Sequence, residues 1–376
     1  LPASGLAAFA ADPEASIVAL LGAGAVVREG ALVGLAAACD GAVLEAAATR
    51  EERVATAALL TGPGFDPDPW AYARAAELLV AAGEFDSADA AIGKAIRAAD
   101  DPQVSHEIAA RWYAAVAPIT GEGGLRLRVR AAERALAMGE AHDAQRWCES
   151  AATLGPEDPT IGLLMGRALV QLGDAVAARV SLQKAEAVAE GDELRARIAA
   201  ELAEVSYMAG DLRLAAEQAD RAIALAQAPS TRLAGRNTLG KILITQARWD
   251  DADAHFAEDT LAASAAGETT CELRARLNRG IVLMSKGLLD DARTALERVL
   301  EDGARAGEDR ARAYAFANLG VIAYRQHDYA AALSSWESAV RFRQTLRGRI
   351  ATAHTLANMA ELRLRLGLVD HAEHAV

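Results

Sequence analysis

One turn-like position recurs along most of this chain, and its spacing limits the fold more than any other feature. Gly139, Gly173, Gly210, Ala247, Gly287, His327 and Gly367 succeed one another at intervals of 34, 37, 37, 40, 40 and 40 residues. Around each lies the same pattern, as in "RLNRGIVLMSKGLLDDARTALERVL" and, forty residues on, "ANLGVIAYRQHDYAAALSSWESAV". An earlier isolated copy reads "AYARAAELLVAAGEFDSADAAIGKAI". Apolar residues return at helical spacing on both sides of the turn, so each copy predicts two antiparallel helices joined by a tight loop. Such a pair cannot bury its own apolar face, and neighbouring pairs must stack on one another. A single compact centre does not fit that pattern.

Small residues recur at three further offsets, seen as Gly320, Ala332 and Ala339. There the helices must approach so closely that a larger side chain would overpack the contact, at about 1–3 kcal/mol. Bulk comes from other offsets: Phe85, Trp249, Phe256, Tyr329 and Trp336. Glycine suits the turn because it tolerates positive φ. Three positions break the pattern. Ala247 and His327 stand where other copies have glycine, and Asp259 stands where a small residue is expected.

This series of Gly/Ala, Ala, aromatic and Ala resembles the tetratricopeptide repeat (TPR), over about Pro69 to Val376 with a gap; Pro156 fits the proline that often closes the motif. The 40-residue spacing is similar to the long repeats of kinesin light chains, LGN-type spindle adaptors and bacterial STAND-type ATPase regulators. Six extra residues add close to one turn to each pair. The resemblance implies an all-α fold, a right-handed TPR-type α-solenoid of eight antiparallel pairs, the last truncated. Three segments are expected: a small helical, winged-helix-like module over 1–64, a first pair with an orphan helix over 65–124, and consecutive repeats over 125–376. "VREGALVG" (Val27 to Gly34) reads as a small β-turn or wing, "TGPGFDPDPW" (Thr61 to Trp70) as a linker, and "PQVSHEIAARWYAAVAP" as the orphan helix. The order of parts is similar to that found after the nucleotide-binding module in STAND regulators such as the maltose-regulon activator. Both chain ends read as those of a piece of a longer protein.

Composition excludes several classes of function. A formal charge of −13 and a pI near 5.1 argue against nucleic acid as a partner, which needs clustered Lys and Arg. No apolar run approaches the roughly 18 residues of a membrane span. Cys39, Cys148 and Cys271 are odd in number and far apart, fitting buried thiols in a reducing cytoplasm. "LLGAGAVV" lacks the lysine and Ser/Thr of a phosphate loop. His371 and His374 share a helix face at metal-ligand spacing, but no further ligands accompany them, and solvated surface residues are the reading. Cys148 falls at a core position rather than a nucleophile's. No catalytic series emerges, so neither an enzyme nor a cofactor is expected.

In TPR proteins the first helix of each pair lines a concave groove, through its second, sixth, ninth and thirteenth positions. The sixth position here holds Asn278, Asn318 and Asn358, with Thr238 and Glu201 upstream. An amide offers donor and acceptor together, so it can clamp the backbone of an extended peptide; it can equally bond to the neighbouring repeat. The same register lines up Arg274, Tyr314 and His354, then Tyr324 with Arg325, and Arg365. Tyr and Arg are enriched at binding hot spots. "RFRQTLRGR" (Arg341 to Arg349) with Arg363 and Arg365 adds a basic region that would suit an acidic peptide, although solvated helix and turn residues explain Arg341 to Arg349 as well. The expected function is non-catalytic binding of a protein or peptide, as sensor or scaffold in a bacterial signalling protein. Oligomerisation through the C-terminal end is compatible with it. The alternative is a small-molecule-gated sensor controlling an attached ATPase or DNA-binding domain.

Overall fold

The computed structural model describes residues 26–29, 32–35, 49–62, 68–99, 101–345 and 349–367. Among these residues there are seventeen helices and one two-stranded hairpin. The chain divides into two compact units, Leu1–Arg130 and Ala131–Val376.

In the first unit, β1 (Val26–Glu29) pairs antiparallel with β2 (Leu32–Leu35), Val26 opposite Leu35 and Glu29 opposite Leu32. This hairpin occupies the "VREGALVG" stretch. Next come helices α1 (Arg50–Leu60), α2 (Pro69–Ala81), α3 (Phe85–Ala98), α4 (Pro102–Val116) and the start of α5 (Gly121–Ala137). α2 and α3 form an antiparallel pair across Gly83 (φ 78°). α1 packs on α2, where Arg53 Nη1 donates to the Ala81 carbonyl (2.9 Å) and Arg50 Nε to that of Ala82 (3.3 Å). The carbonyls after α4 are gathered by the buried Arg128. Its Nη1 donates to Ile119 (2.8 Å) and Gly124 (2.9 Å), and its Nη2 to Ala117 (2.8 Å). The "DP" pairs explain three helix starts: Asp68, Asp101 and Asp158 each accept from the N–H two residues on, at 2.8–2.9 Å. The adjoining proline fills the first helical position, where no N–H is needed.

The second unit holds the end of α5, then α6 (Ala141–Ala152), and after it the pairs α7 (Pro159–Leu172) with α8 (Ala175–Val188) and α9 (Asp192–Met208) with α10 (Leu212–Leu225). Then come α11 (Pro229–Thr245) with α12 (Trp249–Ala266), α13 (Thr269–Ser285) with α14 (Leu289–Ala306), and α15 (Asp309–Arg325) with α16 (Tyr329–Thr345). α17 (Arg349–Arg365) is the last helix among the described residues. His371, His374 and Cys39 lie outside the described residues.

Every turn residue that sets the period adopts positive φ, including the two that are not glycine, Ala247 (54°) and His327 (63°). The turns from Gly139 to His327 end their helices in one way. In the α7/α8 pair, Asp174 N–H bonds back to Leu169 C=O (2.9 Å) and Gly173 N–H to Val170 C=O (3.1 Å). The same two bonds recur at Ala247, where Arg248 N–H reaches Leu243 C=O (3.0 Å) and Ala247 N–H reaches Ile244 C=O (2.9 Å). This Schellman closure needs a left-handed residue. A side chain there is strained, and Ala247 is exposed with nothing to offset it. Ala247→Gly is therefore expected to raise stability by about 0.5–1 kcal/mol, read from the urea midpoint.

The drift of the period from 34 to 40 is taken up by both helices of a pair. α7 and α8 have 14 residues each, while α13 and α14 have 17 and 18. The gain is thus about one turn per helix rather than one per pair, at 3.6 residues per turn.

Inside each pair, two positions sixteen residues apart share one volume. A Cβ added to Gly166, Gly240, Gly280 or Gly320 would lie closer than 3.0 Å to Leu182, Phe256, Leu296 or Trp336 respectively. Where the first of these positions is alanine, as at Ala132 and Ala203, its counterpart is Cys148 or Ala219. Glycine thus faces bulk, and alanine faces a small side chain. The first pair, Ala76 with Ile92, falls between these cases. Trp336 is pinned further by its indole N–H, which donates to the Ala317 carbonyl at 3.1 Å.

Successive first helices, α7, α9, α11, α13 and α15, touch one another as well as their own partners, whereas successive second helices barely meet. The layer of first helices is the tighter one, and the unit's inner face is theirs.

Candidate binding groove

Polar bonds stitch the first helices together across this face. Arg167 on α7 pairs with Glu201 on α9 (Nε–Oε1 3.1 Å). Glu204 on α9 takes the Lys241 ammonium of α11 on both oxygens (2.5 Å each), and that ammonium also sits 4.4 Å from the centre of the Tyr207 ring. Tyr207 Oη and Thr245 Oγ1 lie 3.1 Å apart. Farther along, Asn278 Nδ2 donates to Asn237 Oδ1 (2.7 Å), and Arg325 Nη1 donates to the Met284 carbonyl (2.9 Å). Each bond joins one repeat to the next.

The predicted residues therefore fall into two groups. Asn278 and Arg325 bond to the preceding repeat. Tyr324 is half-buried in an aromatic cluster, with its ring centroid 5.9 Å from Tyr329 and 6.1 Å from Trp336. Arg365 pairs within its own helix to Glu361 (2.7 Å). By contrast Tyr314, His354 and Asn358 are exposed, and Asn318 uses its amide only on the Tyr314 carbonyl one turn earlier (3.1 Å). Tyr314, at 39% exposure, is one of the few large apolar side chains left open. Arg274 rests with its Nη2 3.6 Å from Cys271 Sγ. Of the basic stretch, Arg341 bonds to Ser338 Oγ (2.9 Å) and Arg363 to Glu337 (3.2 Å).

The middle of the face carries chemistry that the sixth-position asparagines did not point to. Glu201 lies deep enough that burial raises its carboxyl pKa, against the opposing pull of Arg167, Arg274 and Arg197. The signal was present in the sequence at the ninth position, where Arg167, Glu204 and Lys241 succeed one another. Cys148 is buried, and burial pushes its thiol up to about 12, so it stays protonated and inert. No group of three or more His, Cys, Asp or Glu that could hold a metal exists among the described residues. Among these residues, too, no helix is long and apolar enough to cross a membrane.

A stack of helical hairpins with a polar inner face is a repeat solenoid. Residues 271–345 match the model of the tetratricopeptide repeat family. No curated protein matches the sequence. Among solved structures, the Rap protein complexed with Competence and Sporulation Factor is similar over 82% of this chain and 95% of its own, at 13% identity and a TM-score of 0.53. The apo form of RapI is similar over 74% of this chain and 99% of its own, at 8% identity and a TM-score of 0.50. A STAND protein with a tetratricopeptide repeat sensor from Pyrococcus horikoshii aligns over 97% of this chain and 61% of its own, at 13% identity and a TM-score of 0.46. Residues 271–345 thus carry the tetratricopeptide pattern, and the consecutive helix pairs around them share the fold of a TPR-like helical solenoid.

Proposed function

We propose that the inner face of the first helices binds a protein or peptide partner, and that the segment serves, without catalysis, as a regulatory sensor or scaffold in a bacterial signalling protein. The observation that carries this reading is the row Tyr314, His354 and Asn358, exposed on α15 and α17, with the half-buried Asn318 one turn on from Tyr314. An exposed tyrosine supplies a rigid contact area, and the amides supply backbone donors and acceptors. The likeness to a Rap protein complexed with Competence and Sporulation Factor supports a bound factor on such a scaffold. Curvature offers the output, since each repeat interface contributes a small rotation that a ligand spanning several of them can alter.

The test is capture from lysate with the wild-type chain against Asn318→Ala with Asn358→Ala. Neither amide belongs to the core, so helicity by circular dichroism should be unchanged. A captured partner should bind about tenfold more weakly to the double variant, by analogy with two lost hydrogen bonds of roughly 0.5–1.5 kcal/mol each. Equal affinity would remove the asparagines from the reading.

A further inference from the structure

The inner face is not uniform in charge, and its middle departs from the protein as a whole. At the inward positions of α7, α9, α11 and α13, four cations (Arg167, Arg197, Lys241 and Arg274) accompany two carboxylates, Glu201 and Glu204. The chain as a whole carries −13. A local positive excess on the inner layer of an acidic protein is the reverse of what solubility alone would produce. The arrangement of the pairs adds to this. Each carboxylate comes from α9, the second of these four helices, and holds a cation from a neighbouring repeat: Glu201 holds Arg167, and Glu204 holds Lys241 with both oxygens. The Arg197 and Arg274 charges also favour the ionised form of the Glu201 carboxylate. Two internal carboxylates thus occupy a row of cations that could serve twice as many.

We infer that this stretch, from Arg167 to Arg274, is a docking site for an acidic, extended segment of a partner protein, and that Glu201 and Glu204 are its internal stand-ins. The inference rests on the proposed use of the inner face and gives its central part a chemistry. Neighbouring helices lie about 8–10 Å apart, and an extended chain advances about 3.3 Å per residue, so one acidic residue in three would meet each helix in turn. Four helices are spanned by about ten residues at these spacings. The arriving carboxylates would exchange with Glu201 and Glu204 for Arg167 and Lys241, while Arg197 and Arg274 supply the excess charge. Tyr207, already beneath the Lys241 ammonium, holds that cation in place during the exchange.

The stand-in role makes an unusual prediction of sign. Fluorescence anisotropy of a labelled ten-residue polyglutamate peptide, titrated with the full chain at low salt, should show binding that weakens steeply as salt is added. Lys241→Gln and Arg274→Gln should each weaken it at least fivefold. Glu204→Gln and Glu201→Gln should strengthen it at least threefold, because each removes a competitor without touching a cation. All four variants are read beside circular dichroism, and the pair of opposite signs cannot arise from unfolding, which would weaken binding throughout. Absence of binding, equal binding of a ten-residue polyglutamine or polylysine, equal binding of a ten-nucleotide thymidine strand, or weaker binding by the two glutamine variants of Glu201 and Glu204 would each overturn the assignment. A polyglutamate failure alongside a lysate partner that still depends on Asn318 and Asn358 would sink this inference and leave the broader reading standing.

Discussion

Replacing Arg236 by methionine is expected to destabilise the protein by about 3–5 kcal/mol, the range for stranding one charge of a buried pair. The charge left behind is Asp259, only 2% exposed, at the position where the other complete repeats place a small apolar residue. Asp259 is held from two sides: Arg236 of α11 pairs with it and also reaches Glu258 (3.1 Å), and His255 one turn earlier lies 3.3 Å away. His255 Nε2 is also 2.7 Å from the Arg236 carbonyl. Asp259→Ala should cost much less than Arg236→Met, because it restores the small residue and leaves Arg236 on the exposed Glu258. Urea unfolding of the two variants decides the order, and equal losses would mean that the ion pair itself stabilises the repeat.

The same network predicts a dependence on pH. Burial lowers the His255 pKa, but its bonds to Asp259 and to the Arg236 carbonyl, with the Asp259 charge, outweigh burial and raise it above 6.5. A group whose folded pKa is raised adds stability that is fully present below its unfolded value. That contribution is lost as pH climbs through the folded value. Stability of the wild type should therefore fall as pH rises from about 6 to about 8, and His255→Gln or Asp259→Ala should flatten that slope.

The second large effect belongs to the pair Gly320 and Trp336. Gly320→Ala puts a methyl group inside the indole's contact distance, and the indole is fixed by its bond to Ala317, so about 1–3 kcal/mol should be lost. Trp336→Ala should cost about 3–5 kcal/mol as a buried large-to-small change. Together they should cost less than their sum by at least about 1 kcal/mol, since the double variant reproduces the alanine-facing-alanine pattern of Ala203 and Ala219. A cycle that closes with no coupling would show that the helices can part to admit the methyl group.

These two sites differ in how legible they were. That Gly320 marks a close approach is readable from the recurrence of small residues, and the period alone locates the turn at His327 before any coordinates. The helix starts at Asp68-Pro69 and Asp158-Pro159 are equally local, because a cap and its proline satisfy backbone groups within three residues. The partner of Gly320 is less local. The offset to Trp336 shows in sequence only once copies are compared, as glycine facing bulk and alanine facing small.

The groove was harder to read. Asn278, Asn318 and Asn358 occupy one register position, yet Asn278 bonds to Asn237 of the preceding repeat while Asn358 stays exposed. Equal sequence positions acquire unequal partners because the neighbouring repeat presents an asparagine in one case and not in another. Likewise Asp259 reads in sequence as a departure from pattern, and only the arrival of Arg236 from the other helix of its pair makes it a buried ion pair.

The sequence by itself determined the helical hairpins, their turns and their order, since each depends on backbone conformation and spacing within about forty residues. Tertiary structure alone decided which polar side chains bond between repeats and which remain exposed. The reason is physical: a hydrogen bond or ion pair is set by distance and direction across a packed interface, and those are fixed only when one repeat comes to rest on the next.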